Sequence, residues 1–256
     1  MFESYNSELA KLDNYTLNFN ETGLLIMNIT IAFVMFGVAL GIKRDNFQNI
    51  VRDPKPVIIG VISQFVLMPA MTFLLVLIAK FPISISLGMI LVAACPGGNV
   101  SNFMTSLARG NVALSVSLTA IADLASIIMT PFSFYFWSEL YFETLPIEKG
   151  LIHIPFLEVL KTITLIIGIP LVLGLWFQQR FPKTTKRMYK TLKMISFIAF
   201  LGFIAGAIAA NFDYFAQYFW FLFPIVFVHN LLALTTGFSF ARSLRLSLMN
   251  RKTITI

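Results

Sequence analysis

Two groups of polar residues interrupt an otherwise apolar chain, and their types and spacing suit the binding of a cation. The first is the run Ala94-Cys95-Pro96-Gly97-Gly98-Asn99-Val100-Ser101-Asn102, which breaks helical geometry between the apolar stretches Ile83 to Ala94 and Phe103 to Leu107. The second is Ser115, Thr119 and Asp123, spaced i, i+4 and i+8, which share one helix face with a drift of about 40° per step. Gln64 places an amide midway along an earlier apolar stretch. A hard cation such as Na⁺ requires several oxygen ligands, by the logic that governs other hard cations. Hydroxyls, an amide oxygen and freed backbone carbonyls supply such a shell. The bland alternative is that Ser and Thr bond back to their own helix, and for Ser115 alone that is the simpler reading. Together with Ser101, Asn102 and the Pro-Gly-Gly break, the two readings weigh equally.

Asp123 is the sharpest single residue. A carboxylate inside a membrane span costs roughly 2.5–3.5 kcal/mol on insertion scales and marks an ion or proton path more often than not. The bland reading is a protonated or water-solvated acid. His229-Asn230, in the last long apolar stretch, either bonds across helices, the favoured reading, or lends polarity to a cavity. Lys161 is read as snorkelling to the interface.

The elements that must position these residues are membrane spans. The chain of 256 residues is 57% hydrophobic and 12% charged, with a mean hydropathy of +0.81, against about 25% charged in ordinary globular domains. Seven apolar stretches approach the roughly 20 residues that cross a bilayer: Gly23 to Gly41, Val57 to Ile78, Ile83 to Leu107, Val112 to Trp137, Phe156 to Phe177, Met194 to Ala210 and Tyr218 to Phe240. Residues 1–22 read as an outer polar segment with little structure of its own, and 23–256 as the transmembrane domain. Unwound backbone at membrane depth survives only where protein buries it or it lines a wet cavity, and transporters use such breaks to aim helix ends at ions and substrates. Pro131 and Pro170 predict kinks. Phe81-Pro82 and Arg109-Gly110 predict tight turns, Ser138 to Gly150 an acidic outer loop, and Gln178 to Lys193 a basic inner one.

The net charge of +7 invites a nucleic-acid partner, but the basic residues gather in alternate connections and the C-terminal tail while the acids gather in the others. Positive connections stay cytoplasmic, so the alternation predicts the N-terminus outside, the C-terminus inside, a lipid bilayer as surroundings and no nucleic acid. The single cysteine, Cys95, excludes an intramolecular disulfide framework and reads as a small packing residue. With His153 and His229 the only histidines, neither a metal cluster nor a Ser-His-Asp set can be assembled, so the chain is not read as an enzyme. Sequons at Asn14-Tyr15-Thr16 and Asn20-Glu21-Thr22 lie on the outer segment.

Cys95-Pro96-Gly97-Gly98-Asn99-Val100-Ser101-Asn102, continued by Ser106-Leu107-Ala108-Arg109-Gly110-Asn111-Val112-Ala113-Leu114-Ser115, closely resembles the bile acid:sodium symporter family. Gln64-Phe65-Val66-Leu67-Met68-Pro69 and His229-Asn230 fit the same pattern, and the likeness to bacterial-type members runs from about residue 22 to the end. The resemblance implies an all-α inverted-repeat transporter fold with panel and core domains, in which 95–99 is the first helix crossing. It implies symport of Na⁺ with a small organic anion such as a bile acid or another carboxylate, bound near the crossing between the two domains, in a plasma (inner) membrane. Carried over by position, one sodium site would use Ser101, Asn102, Ser115 and Thr119, with Gln64 at a second; Cys95, Pro96, Gly97, Gly98 and Asn99 would line the break. Two departures bear on this. The family continues after the equivalent of Thr253-Ile254-Thr255-Ile256 with a Glu-x-x-x-Gln-Asn motif on the second crossing helix, so the chain is expected to be incomplete, with seven spans of about nine. On that expectation it binds Na⁺ weakly and does not transport alone. Asp123 also stands where members tend to carry a small hydroxyl residue. Two alternatives therefore remain: a carrier of related fold using protons through Asp123, and a truncated membrane scaffold that does not transport.

Overall fold

The computed structural model describes residues 9–10, 13, 21–42, 53–98, 100–145 and 156–256. Among them every extended element is a helix: α1 (Glu21–Ala39), α2 (Pro54–Ala79), α3 (Ile83–Ala94), α4 (Val100–Leu107), α5 (Val112–Glu143), α6 (Phe156–Arg180), α7 (Pro182–Ala210), α8 (Phe212–Ser243) and α9 (Leu248–Thr255). Six of them (α1, α2, α5, α6, α7 and α8) are 19 to 32 residues long and apolar enough to cross a membrane. At about 1.5 Å per residue, even 19 residues reach the roughly 30 Å of a hydrocarbon core. The stretch Ile83 to Leu107, read as one of seven spans, is divided instead. α3 ends after 12 residues, Cys95 turns extended (φ −77°, ψ 148°), and α4 adds only eight. Pro96 and the two glycines after it give the helix no means to propagate.

Other boundaries shift as well. Most of the presumed inner loop Gln178 to Lys193 is helical, since α6 runs to Arg180 and α7 begins at Pro182, where a proline suits a first helical turn. The presumed outer loop begins late, because α5 continues to Glu143; residues 146–150 lie outside the described residues. Pro131 sits inside α5, which continues through it, whereas a π-helical turn at Thr164–Gly168 precedes Pro170. Both tight turns are present, with Lys80 (φ 50°) and Arg109 (φ 53°) in the left-handed conformation. The sequon positions 14–16 and 20, together with His153, lie outside the described residues.

The chain divides into two compact units. One contains α2 to α5, α8 from Phe221 onward, and α9; the other contains α1, α6 from Leu160, α7 and α8 up to Trp220. In the first, Phe73, Val76, Met89, Ile90, Tyr141 and Ile225 form a buried cluster. Two described residues of the N-terminal segment make contacts with this unit: Leu9 is fully buried in the cluster, and the carboxylate of Asp13 accepts a hydrogen bond from the Ser84 amide at 2.9 Å. That amide is an orphan donor in the first turn of α3, where a carboxylate is also favoured by the helix dipole.

α9 is held to the turn between α4 and α5 by a dense set of polar contacts. The Asn111 amide donates to Thr253 Oγ1 at 2.8 Å, Asn111 Nδ2 donates to Asn250 Oδ1 at 2.9 Å, and Lys252 Nζ donates to the Ala108 carbonyl at 2.9 Å. On its other side α9 lies so close to α8 that a Cβ on Gly237 would stand 2.8 Å from the Ile254 carbonyl oxygen. A side chain at 237 must push backbone aside, an overpacking cost of about 1–3 kcal/mol. Gly237→Leu is therefore expected to lower the thermal midpoint in detergent by roughly 3–8 °C. Gly202→Ala, on α7 with nothing within 4 Å of the added Cβ, should leave it unchanged or slightly raised.

Candidate helix-break site

The site is assembled where the α3–α4 break meets α2 and α5. α2 contains a π-helical turn over Ser63–Leu67, closed by the Met68 amide on the Ser63 carbonyl. The cause is Pro69: it has no amide to offer the Phe65 carbonyl and its ring crowds that carbonyl, so the helix widens by one residue. Gln64 sits in this turn and Nε2 donates to the Cys95 carbonyl at 2.9 Å.

Two more carbonyls of the break are answered in the same way. Thr130 Oγ1 on α5 donates to the Ala94 carbonyl at 3.0 Å, and the Gly98 carbonyl accepts from the Ser101 amide at 3.0 Å and from Ser101 Oγ at 2.8 Å. Asn102, one residue on, faces α5. Its Oδ1 accepts from Ser115 Oγ at 2.7 Å and from Thr119 Oγ1 at 3.3 Å, and Thr119 Oγ1 also donates to the Ser115 carbonyl at 3.0 Å. The reading of back-bonded hydroxyls is thus half right for Thr119, which bonds both its own helix and Asn102.

Beside this network lies a cavity of ≈ 150 Å³, whose lining includes Gln64, Gly97, Ser101, Ser115 and Thr119. Six residues singled out from the sequence thus border one space or, for Asn102, bond two that do. Pro96 and Gly98 complete the break, Asn99 lies outside the described residues, and the Cys95 thiol is free and exposed rather than packed. The donor set is hydroxyl, amide and carbonyl oxygen, which suits a hard monovalent cation. Among the described residues no group of three or more His, Cys, Asp and Glu gathers as a softer metal requires.

Three expected residues stand apart from the cavity lining. Asp123 is buried one turn beyond Thr119, and its main-chain carbonyl accepts from Ser126 Oγ at 2.8 Å. His229 Nε2 is 2.8 Å from Thr72 Oγ1 in a buried contact between α8 and α2, so the cross-helix reading fits it. Asn230 is exposed and donates to the Val226 carbonyl. Conversely, Ser63, Thr253 and Thr255 line the cavity without having been singled out. The pairing of Thr253 and Thr255 in the last helix was visible in the sequence, but its docking beside Ser115 is a tertiary fact with no local signal.

If the Thr72–His229 contact is structural, Thr72→Val and His229→Phe should each cost about 1–3 kcal/mol by stranding the partner's polar group. The double variant should cost less than the sum, measured as thermal midpoints across the double-mutant cycle.

Comparison with known proteins relates this sequence to a family of membrane carriers. The sodium bile acid symporter family matches over residues 28–218. An uncharacterized sodium-dependent transporter of Bacillus subtilis is 33% identical over 230 residues, 90% of this chain and 68% of that protein. The P3 protein of Homo sapiens is 28% identical over 253 residues, 96% of this chain and 51% of its own length. A sodium-dependent organic anion transporter of Bos taurus is 27% identical over 232 residues, 91% of this chain and 60% of its own. The chain thus spans between about half and two thirds of these relatives. With a helix break lined by hard oxygen donors and a match across most of its length, the chain belongs to the sodium bile acid symporter family.

Proposed function

We propose that the chain forms part of a sodium-coupled symporter of small organic anions, with Ser101, Asn102, Ser115 and Thr119 as sodium ligands and Gln64 contributing to a second ion position. The observation that carries this reading is Asn102 Oδ1, which gathers Ser115 Oγ and Thr119 Oγ1 at 2.7 and 3.3 Å beside the cavity. An entering Na⁺ takes the place of the shared protons. Each hydroxyl rotates its hydrogen outward and turns a lone pair to the ion, and the Asn102 carbonyl oxygen already faces both hydroxyls. Because α4, α5 and α9 all border the cavity, an ion bound there ties the half-helix to its neighbours and favours the arrangement in which all three meet. A ligand shifts a conformational equilibrium only by such differential contact. The organic anion, a bile acid or another carboxylate, would travel with the ion. On the positive-inside reading the N-terminus is outside, the C-terminus is cytoplasmic, and the membrane is the plasma (inner) membrane.

A second reading, coupling through Asp123, is favoured by one observation: its carboxylate is carried on a buried residue of the long helix α5, beside the face that bears Ser115 and Thr119.

Thermal unfolding in NaCl against KCl at equal ionic strength tests the first reading. For a site of ~10 mM affinity, 100 mM sodium adds about 1.4 kcal/mol, roughly 3–5 °C. Asn102→Ala should abolish the sodium-specific part, whereas Asp123→Asn should leave it. If sodium and potassium act alike, the proposed ligands are wrong. Proton coupling then requires stability that follows pH in the parent chain but not in Asp123→Asn.

A further inference from the structure

The first turns of α7 divide into three lengthwise faces. Lys183, Lys186, Arg187, Lys190 and Lys193 fall within one arc of about 120°, and all five are exposed. Thr185, Tyr189 and Ser196 form the packing face: Thr185 and Ser196 are buried, and the Tyr189 hydroxyl lies 2.7 Å from where a Cβ on Gly41, just past the end of α1, would stand. The third face carries Thr184, Met188 and Thr191, equally exposed and all uncharged. A topology signal needs only positive charge in the connection, and solvation would be served on either exposed face. Neither accounts for every cation lying on one face and none on the other. No acidic residue occurs in α7.

The surroundings place this face at a membrane boundary. Trp176 and Phe181, at the end of α6 and the turn into α7, are 59% and 43% exposed, and their rings meet edge-on at 6.2 Å. Exposed aromatics of this kind settle at the headgroup level. The Arg180 guanidinium lies 6.0 Å from the Phe181 ring centre. Directly after Lys193, α7 turns apolar yet stays exposed at Met194, Phe197 and Ile198, a surface for acyl chains. One helix thus offers cations along about 15 Å and apolar side chains on the next turn.

The structure assigns this face of α7 to anionic phospholipid: headgroup phosphates bridge Lys183, Lys186, Arg187 and Lys190, and acyl chains lie along the exposed apolar turns that follow. Phospholipid is the occupant that matches both halves. An acidic soluble protein matches the cations only, and free phosphate has nothing for the apolar turn. The assignment is independent of the ion site, which lies in the other compact unit.

The test uses the purified chain in dodecyl maltoside with added phosphatidylglycerol or phosphatidylcholine. Thermal midpoint is one readout, and lipid retained through gel filtration, counted by mass spectrometry, is the other. Phosphatidylglycerol should raise the midpoint by roughly 4 °C more than phosphatidylcholine and be retained several-fold better, an advantage that fades in high salt. The decisive variant moves the charge without removing it, combining Lys183→Gln, Lys186→Gln and Arg187→Gln with Thr184→Lys, Met188→Lys and Thr191→Lys. Net charge and topology signal are kept, and most of both effects should be lost. In the parent chain, replacing Lys183, Lys186 and Lys190 by arginine should preserve both. The assignment is overturned if the moved-charge variant retains lipid as the parent does, if phosphatidylcholine serves equally well, or if inorganic phosphate alone reproduces the shift. Should the moved-charge variant fold poorly, retention by Lys183→Gln/Lys186→Gln decides: undiminished phosphatidylglycerol retention overturns the assignment.

Discussion

The structure turns on the requirement that backbone carbonyls exposed by a helix break at membrane depth find donors within the protein. A buried polar group without a partner costs several kcal/mol in hydrocarbon, and the α3–α4 break releases several at once. Thr130, Gln64 and Ser101 answer the carbonyls of Ala94, Cys95 and Gly98. Each donor comes from a different element: α5, the π-helical turn of α2, and α4 itself. The break is therefore a joint where three helices are fixed by side chains long enough, or hydroxyls near enough, to reach an unwound backbone. Two of these donors, Gln64 and Ser101, also line the cavity beside the break.

Much of this was legible before any coordinates, and what was legible has a common cause. Proline and two glycines after an apolar run can be read locally, because they remove the means of helix propagation whatever lies nearby. The face shared by Ser115 and Thr119 needs only the helical period. Chain charge and hydropathy likewise identify spans without reference to neighbours. The misses are tertiary. Gln64 was singled out, but not the π-helical turn that Pro69 imposes around it. Leu9 and Asp13 look like members of a polar tail until the core cluster and the first turn of α3 are there to receive them. Thr253 acquires its position only by meeting Asn111, 142 residues away in sequence. Asp123 shows the opposite failure: the period puts it on the Ser115 face, yet its accumulated drift of about 80° carries it past the cavity lining.

The boundary error at the sixth span has a physical lesson. In sequence alone the basic run from Lys183 to Lys193 reads as a loop, because charge and loop usually coincide. Lys and Arg are good helix formers, and where all of them can be kept on one face the helix extends out of the apolar region without burying charge. Thr185 and Tyr189 supply the packing that holds those extra turns. Hydropathy marks where hydrocarbon ends, whereas the helix ends where packing and capping stop, and in α7 the two differ by about three turns.

The network proposed to bind the ion consists of neutral oxygens already bonded to one another, and this would suit a site that must fill and empty. A shell of carboxylates would hold a cation tightly and, when vacant, would leave like charges buried together, raising the barrier to any state without the ion. Asn102, Ser115 and Thr119 avoid that penalty because each hydroxyl has a partner when no ion is present. The exchange costs a rotation of two hydroxyls rather than exposure of an unpaired charge. Under the proposed sodium reading the affinity would be modest, which suits a carrier whose binding on one side of a membrane is followed by release on the other. On that proposal, ordering of α4 against α5 and α9 around the ion would be the means by which modest affinity biases structure. The break supplies the freedom for that movement, and the donors that secure its carbonyls set the limits within which it occurs.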